Sequence, residues 1–79
     1  MNAIYSQGDW MYVVDVMEED DNRKNWHDIY YKGRIVTPKW FRNISPYTIA
    51  TREQFERAVE ELKLKIWLTD GKIGAILNT

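Results

Sequence analysis

The sequence contains no cysteine, a single histidine and only two serines. Without cysteine the chain has no disulfides, no thiolate chemistry and no cysteine-based zinc site. Nucleophilic catalysis needs a serine, cysteine or threonine beside a positioned base, and the lone His27 falls on a predicted inward face next to Ile29. We therefore predict that the chain is not an enzyme, has no catalytic residue and has no metal site.

Long apolar runs and glycine-rich loops are also missing. The four glycines are scattered, so no phosphate-binding loop is present. No segment approaches the ~18 apolar residues of a membrane span, and the first residues lack an apolar signal-peptide core. The carboxylates at positions 18–21 are consecutive, whereas a calcium loop needs alternate ligands and a glycine. We expect no cofactor, no membrane contact and a cytoplasmic location.

Apolar and aromatic residues are abundant in what remains. The apolar fraction is 44%, and the aromatic residues include four tryptophans. This composition argues against a disordered chain. The length predicts one compact domain over residues 1–79, near the size at which burial only just offsets chain entropy. Residues 1–9 read as an irregular lead-in, because Ser6 to Asp9 are all turn-forming residues.

One amphipathic helix is well signalled in the second half of the chain. An apolar stripe recurs at i, i+3, i+4 and i+7. It consists of Phe55, Ala58, Val59 and Leu62. Thr51 followed by Gln54 has the spacing of a capping box. The pattern predicts a helix over Arg52–Lys63.

A β-hairpin is predicted directly after the helix. Leu64–Thr69 and Lys72–Leu77 flank the dipeptide Asp70-Gly71, which suits a type I′ turn. In this register Trp67 lies across from Gly74. Two interpretations of Trp67 stay open, because an aromatic can shield a strand glycine or can bind a partner.

The first half of the chain has strand character. Trp10–Met17 is apolar on both faces, which is typical of a central strand, and Glu18–Asn25 reads as a charged hairpin loop. Trp26–Thr37 is either one long strand or a hairpin. Since strands average ~5 to 6 residues, base rates favour the hairpin.

In that hairpin the loop would be Tyr31, Lys32 and Gly33, and Ile29 would oppose Ile35. With one long helical pattern and at least four strand-like segments, the sequence predicts an α+β fold. We expect a small two-layer domain with an antiparallel sheet of about four to five strands and one helix packed on one face.

Charge is segregated along the chain. Residues 1–28 hold seven acids and two bases, residues 29–52 hold five bases and no acid, and residues 53–79 hold five acids and four bases. The basic stretch needs a counter-charge. Either the acidic tip Glu18–Asp21 supplies it, or a partner does, and the sequence leaves both open.

The basic stretch interleaves with aromatic residues. The candidate partner-binding residues are Tyr30, Lys32, Arg34, Lys39, Trp40 and Arg42, together with Trp67. We call the first six the basic strip. Tryptophan, tyrosine and arginine dominate the hot spots of protein interfaces, and bases alternating with aromatics also bind single-stranded nucleic acid.

A sequence pI near 5.7 lacks the usual electrostatic footprint of a nucleic-acid-binding domain. The sequence therefore favours a small protein-binding module. We expect a stoichiometric inhibitor or adaptor, of the type that phages encode, acting on a larger host protein or complex. The alternative is a nucleic-acid-binding domain that uses the basic strip, and a homodimer is left open.

Overall fold

The computed structural model describes residues 3–19 and 22–68. Its elements are β1 (Ala3–Gln7), β2 (Trp10–Glu19), β3 (Asn22–Tyr31), β4 (Arg34–Ile35), α1 (Lys39–Arg42) and α2 (Arg52–Leu68). The strands form one antiparallel sheet in the order β1-β2-β3-β4. The predicted small α+β fold, with a helix packed on one face of an antiparallel sheet, is confirmed.

The hairpin of β2 and β3 forms the centre of the sheet. Its register runs from Trp10 opposite Tyr31 to Glu19 opposite Asn22. Strand β2 has a neighbour on each side, as its two apolar faces predicted. The predicted loop Glu18–Asn25 was too long, because both strands continue through most of it. Polar residues pair across the two strands in this part of the hairpin. They include Arg23 and Glu18, which form an ion pair of 3.4 Å.

The prediction of an irregular segment over residues 1–9 was wrong for Ala3–Gln7, which forms β1. Gln7 pairs with Trp10, so only Gly8 and Asp9 form the turn. Gly8 has φ +59°, and a glycine at the first turn position fits a type II′ hairpin turn. The turn-forming residues misled the prediction because only two of them are in the turn.

The predicted hairpin between β3 and β4 is confirmed, with a loop that is shorter by one residue. Lys32 and Gly33 have φ of 49° and 79°, and two successive positive φ angles are typical of a type I′ turn. Tyr31 is therefore a strand residue and pairs with Arg34. Its place in the predicted loop was wrong.

This shorter loop shifts the register of the hairpin. Tyr30, not the predicted Ile29, opposes Ile35. A shift of one residue moves side chains to the other face of a sheet. Ile35 therefore lies on the face opposite to the buried Ile29.

Helix α2 begins as the sequence predicts. The Thr51 hydroxyl accepts the Gln54 N–H at 3.1 Å, and the Gln54 side-chain oxygen accepts the Thr51 N–H at 2.8 Å. These two bonds are the reciprocal capping box. The predicted apolar stripe is buried: Phe55, Ala58, Val59 and Leu62.

The end of α2 corrects the sequence prediction. Residues 64–68, predicted as the first strand of a hairpin, continue the helix to Leu68. Ile66 packs against the core one turn after Leu62, and extending an existing helix adds one hydrogen bond per residue. The rest of that predicted hairpin, including the Asp70-Gly71 turn and Gly74, lies outside the described residues.

The core lies between α2 and one face of the sheet, which we call the covered face. This face carries Tyr5, Trp10, Tyr12, Val14, His27, Ile29 and Tyr31. Aromatic rings dominate the packing, with Phe41 edge-on to Tyr12 at 5.0 Å and Phe55 5.9 Å from Tyr5.

Among the described residues, no helix is long and apolar enough to cross a bilayer.

The segment after β4 covers the outer edge of β3. The Ile29 carbonyl accepts the Val36 N–H at 2.9 Å, and the Ile29 N–H bonds the Thr37 hydroxyl at 2.9 Å. Further along, the Asn25 N–H donates to the Pro46 carbonyl at 2.7 Å. Because this segment pairs with polar backbone groups of the edge, it holds α1 beside the sheet.

Candidate functional site

A groove of about 350 Å³ separates the residues around α1 from the second half of α2. We call it the basic groove. It is lined by Val36, Thr37, Pro38, Lys39, Trp40, Glu61, Leu62 and Lys65. Its floor is apolar, since Val36, Pro38 and Leu62 are buried.

Trp40 forms one wall of the basic groove. Its indole Nε1–H donates to the Glu61 carboxylate at 2.8 Å. The guanidinium of Arg57 lies 5.3 Å from the centre of its ring, and Phe41 packs edge-on at 5.7 Å. Trp40 is therefore held on several sides, with one ring face occupied by a cation.

Positive charge is in excess around the groove. Glu61 receives the Trp40 N–H and also lies 3.8 Å from Lys65 Nζ. Lys39 joins no ion pair within the part of the chain that the structure describes, and neither does Arg34. Arg34 precedes Val36 by two positions on an extended segment, so both side chains project toward the covered face.

Arg42 has an internal counter-charge. Its guanidinium lies 2.5 Å from Asp28 Oδ1 and 4.7 Å from the centre of the Trp26 ring. Asp28 is 3% exposed and also accepts the Thr37 hydroxyl at 2.9 Å. The counter-charge of Arg42 is therefore the Asp28 carboxylate. The sequence analysis had considered only the acidic tip or a partner as its source. Within that tip, Glu18 pairs with Arg23.

The second face of the sheet, which we call the open face, is also apolar. Strand pairing places Met11, Val13, Met17, Trp26, Tyr30 and Ile35 on it. Met11, Met17, Trp26 and Ile35 are between 37% and 50% exposed, while Val13 is fully buried. Within residues 3–19 and 22–68, no helix covers this face, because α1 and α2 pack on the other one. Among the described side chains of this face, Asp15 and Lys24 are the exposed charges, and the strand register also puts Glu19 on this face.

The basic strip is divided between two surfaces. Lys39 and Trp40 line the basic groove, whereas Tyr30 and Arg42 belong to the open face. Lys32 lies at the hairpin turn, with its Nζ 5.4 Å from the centre of the Tyr31 ring. Trp67 lies apart from both groups, 74% exposed near the end of α2.

Sequence reasoning missed the open face as a site. Its signal was present in β2, where the apolar residues Met11, Val13 and Met17 alternate with a second apolar set. By itself that pattern predicts a central strand and does not indicate which face lacks a second layer. Glu61 and Arg57, which hold Trp40, gave no signal, because they belong to the polar side of an amphipathic helix.

His27 belongs to a buried polar network. The Ser45 carbonyl can only accept, so the imidazole Nε2–H donates to it at 2.9 Å. Nδ1 is then an acceptor and receives the Tyr12 hydroxyl at 2.6 Å, while the Tyr12 oxygen accepts the Ala50 N–H at 3.0 Å. Burial raises the pKa of the Tyr12 phenol, and the Ala50 hydrogen bond partly opposes this. The network ties residues 45–50 to the sheet.

Metal binding has no support in the described part of the chain, where no three histidine, aspartate or glutamate side chains converge on one point. Comparisons with protein-family models, with curated proteins and with solved structures found no match. The basic groove and the open face are therefore the two candidate interaction surfaces of the described chain.

Proposed function

We propose that this chain is a small non-enzymatic protein-binding module, an inhibitor or adaptor that docks a segment of a larger protein in the basic groove. The observation that supports the proposal is the combination of a buried apolar floor with cations in excess at the rim. A segment with one or two apolar side chains and nearby carboxylates is complementary to both features.

The floor and the rim have different roles in this proposal. Val36 and Leu62, 4% and 1% exposed, provide apolar contact at the base of the groove. Lys39 lines the rim, and Arg34 projects from β4 toward the same side of the sheet. Neither forms an ion pair with a carboxylate within the described chain. Rim charges of this type mainly set the encounter rate and the specificity, while buried apolar contacts set the dissociation rate.

The alternative, a nucleic-acid-binding domain, uses the same bases with aromatic rings as stacking platforms. Of the two aromatic residues in the basic strip, Trp40 is already in contact with an arginine, Arg57. The formal net charge of −1 also gives little general attraction for phosphates. These observations favour a protein partner.

The proposal is tested with the double reversal Arg34→Glu/Lys39→Glu. The tagged protein is used for affinity capture from the cells that make it, with and without nuclease, and the recovered protein is titrated at two salt concentrations. We expect the reversal to weaken binding about tenfold or more at low salt and less at high salt, because the lost contacts are screened.

The matched control is Arg23→Glu/Lys63→Glu, which reverses two exposed bases away from the groove. It changes the net charge equally and should leave the affinity nearly unchanged. Equal loss in both variants would reduce the effect to net charge and contradict a specific groove. Recovery that disappears with nuclease would favour the nucleic-acid alternative.

Arg42 is unsuitable as a probe of binding. Its reversal would place a second carboxylate against the buried Asp28 and destabilise the fold. A better second probe is Trp40→Ala, which removes a wall of the groove and leaves Glu61 available to repel an acidic partner. Reduced affinity with retained helical content would support docking in the groove.

A further inference from the structure

The outer edge of β4 presents backbone groups that have no hydrogen-bond partner among the described residues. Arg34 directly follows the two-residue turn, and the Val36 N–H bonds the Ile29 carbonyl at 2.9 Å, so both positions are bonded pairs of the ladder. Bonded and non-bonded pairs alternate between antiparallel strands, so the pair of Tyr30 with Ile35 is non-bonded. The N–H and C=O of Ile35 therefore point away from β3, toward the edge of the sheet.

The side chains along this edge alternate between the two faces of the sheet. Arg34 and Val36 project toward the covered face, where Val36 is part of the floor of the basic groove. Ile35 projects toward the open face and is 44% exposed. A strand added beside β4 would place every second side chain next to Arg34 and the groove. Pro38, which has no N–H, prevents the pairing from extending further along the chain.

The charge around this edge and the groove is positive when the acids are included. The lining residues, the hydrogen bonds and the ring contacts bring six bases and three acids to this surface within the described chain: Lys32, Arg34, Lys39, Arg42, Arg57 and Lys65, with Asp9, Asp28 and Glu61. Their net charge is +3. Asp28 pairs with Arg42, and Glu61 accepts the Trp40 N–H. The carbonyl of Asp9 accepts the Lys32 N–H at 3.1 Å, so this acid lies beside the turn.

This charge discriminates between possible partners of the edge. A second copy would bring the same bases to the same edge, and like charges on neighbouring strands oppose pairing. An extended segment with carboxylates on one side has the opposite charge. The other edge of the described sheet, β1, has no charged residue and has a register shift between Ala3 and Tyr5. That edge therefore has no such preference.

We infer that the segment docked in the basic groove runs as an extended strand along the outer edge of β4. The inference rests on the proposed function and specifies the form of the partner. A carboxylate next to Arg34 and an apolar side chain next to Val36 lie two positions apart on such a strand. Ile35 supplies two main-chain hydrogen bonds, through its N–H and its C=O. Because β4 has only two residues, these bonds fix the register, and the side chains supply the selectivity.

Hydrogen exchange of the backbone amides of the full chain, followed by NMR, tests the pairing. The probe is a capped peptide of the sequence Thr-Glu-Thr-Leu-Thr-Glu-Thr, which has its acids and leucine on one side of a strand and reads the same in both directions. We expect a dissociation constant near 1 mM, so that about 5 mM peptide slows exchange of the Ile35 amide about sixfold. The internal control is the amide of Ser6, which points outward from β1 and should not change.

The control peptide Thr-Thr-Glu-Glu-Leu-Thr-Thr has the same composition and charge, but its acids and leucine do not alternate along one side. It should leave the exchange of the Ile35 amide nearly unchanged. The inference would be overturned by unchanged exchange of Ile35 with the first peptide. Equal slowing by both peptides, or equal slowing at Ser6, would overturn it as well.

The variant Ile35→Pro tests the same hydrogen bond from the side of the protein. It removes the outward N–H and breaks no hydrogen bond of the described sheet, and proline is tolerated at edges whose N–H faces solvent. The matched control Ile35→Ala retains the N–H. We expect the first variant to weaken binding of the alternating peptide about fivefold and the second less than about twofold. Equal affinities in the two folded variants would contradict the pairing, and the exchange experiment needs no substitution.

Failure of this inference is distinguishable from failure of the proposed function. The Arg34→Glu/Lys39→Glu variant measures whether the groove and its bases bind the captured partner, whatever the conformation of that partner. If this reversal weakens binding while the Ile35 amide of the wild type keeps its exchange rate, the groove is used and the strand pairing is wrong. If the reversal has no effect on the captured partner, the proposed function fails and this inference fails with it.

Discussion

The two faces of the sheet bury their residues in different ways. On the covered face, α2 and residues 45–50 supply partners, and Tyr12, His27 and Phe55 are almost completely buried. On the open face, Asp28 is buried because Arg42 reaches around the edge of β3 and Thr37 donates a hydrogen bond. On the covered face a second layer therefore provides the burial, whereas at Asp28 the side chains of Arg42 and Thr37 provide it. The following predictions test this difference.

The largest expected effect is on the covered face. Phe55→Ala removes a fully buried ring that packs against Tyr5, and it should lower the free energy of unfolding by about 3 to 5 kcal/mol. Met17→Ala, at a half-exposed residue of the open face, should cost less than about 1 kcal/mol. Urea denaturation at low protein concentration measures the free energy of unfolding of both variants. Equal costs would mean that the two faces are packed alike.

The next effect concerns the ion pair at the edge of the open face. Arg42→Ala leaves the Asp28 carboxylate buried without its counter-charge and should cost about 2 to 3 kcal/mol, since Arg42 itself is partly exposed. The double variant Arg42→Ala/Asp28→Asn removes the charge and should recover part of this loss. If the double variant is less stable than Arg42→Ala alone, hydrogen bonding by Asp28 outweighs the buried charge.

The buried network of the covered face should give a comparable or smaller effect with a distinct pH dependence. Tyr12→Phe leaves the Ala50 N–H and His27 Nδ1 without their partner and should cost about 1 to 3 kcal/mol. Burial raises the pKa of Tyr12 above its ordinary value of 10.0. The folded state thus retains a proton that the unfolded state loses, so stability is full below about pH 10 and decreases as the pH rises through the folded pKa.

In Tyr12→Phe this contribution to alkaline destabilisation should be absent. Urea denaturation at several pH values between about 8 and 11 measures how the free energy of unfolding changes with pH in the wild type and in the variant. Parallel pH profiles for the wild type and the variant would show that Tyr12 does not titrate differently in the folded and unfolded states.

The smallest effect is expected at the start of the helix that covers the sheet. Thr51→Ala removes the acceptor for the Gln54 N–H at an exposed position and should cost about 1 kcal/mol. Thr51→Ser retains the hydroxyl and serves as the control. A Thr51→Ala variant as stable as the wild type would show that water replaces the cap.

The sequence predicted the elements that depend on neighbouring residues. The stripe from Phe55 to Leu62 and the capping box of Thr51 need only helical spacing, and both occur in the structure. The error at residues 64–68 arose because a short apolar run fits a strand and a buried helix equally well. The packing of Ile66 against the core decides between them.

The surroundings of the predicted site residues depend on contacts between parts of the chain that are distant in sequence. Asp28 and Arg42 are 14 positions apart, and the walls of the basic groove come from residues 36–40 and 61–65. Which carboxylate meets which base depends on how the segment after β4 follows the edge of β3. The hairpin showed the same dependence, since one residue in its loop decided the face on which Ile35 lies.

The order of the strands has a consequence for folding kinetics. Every strand of the described sheet pairs with its neighbour along the chain. Such a meander joins its strands through hairpins, and hairpins can form within about 1 to 10 µs. Most of the stability of an amphipathic helix such as α2 comes from packing its apolar face against the rest of the protein. We therefore expect the sheet to form early and the docking of α2, which closes the long connection from β4, to limit the folding rate.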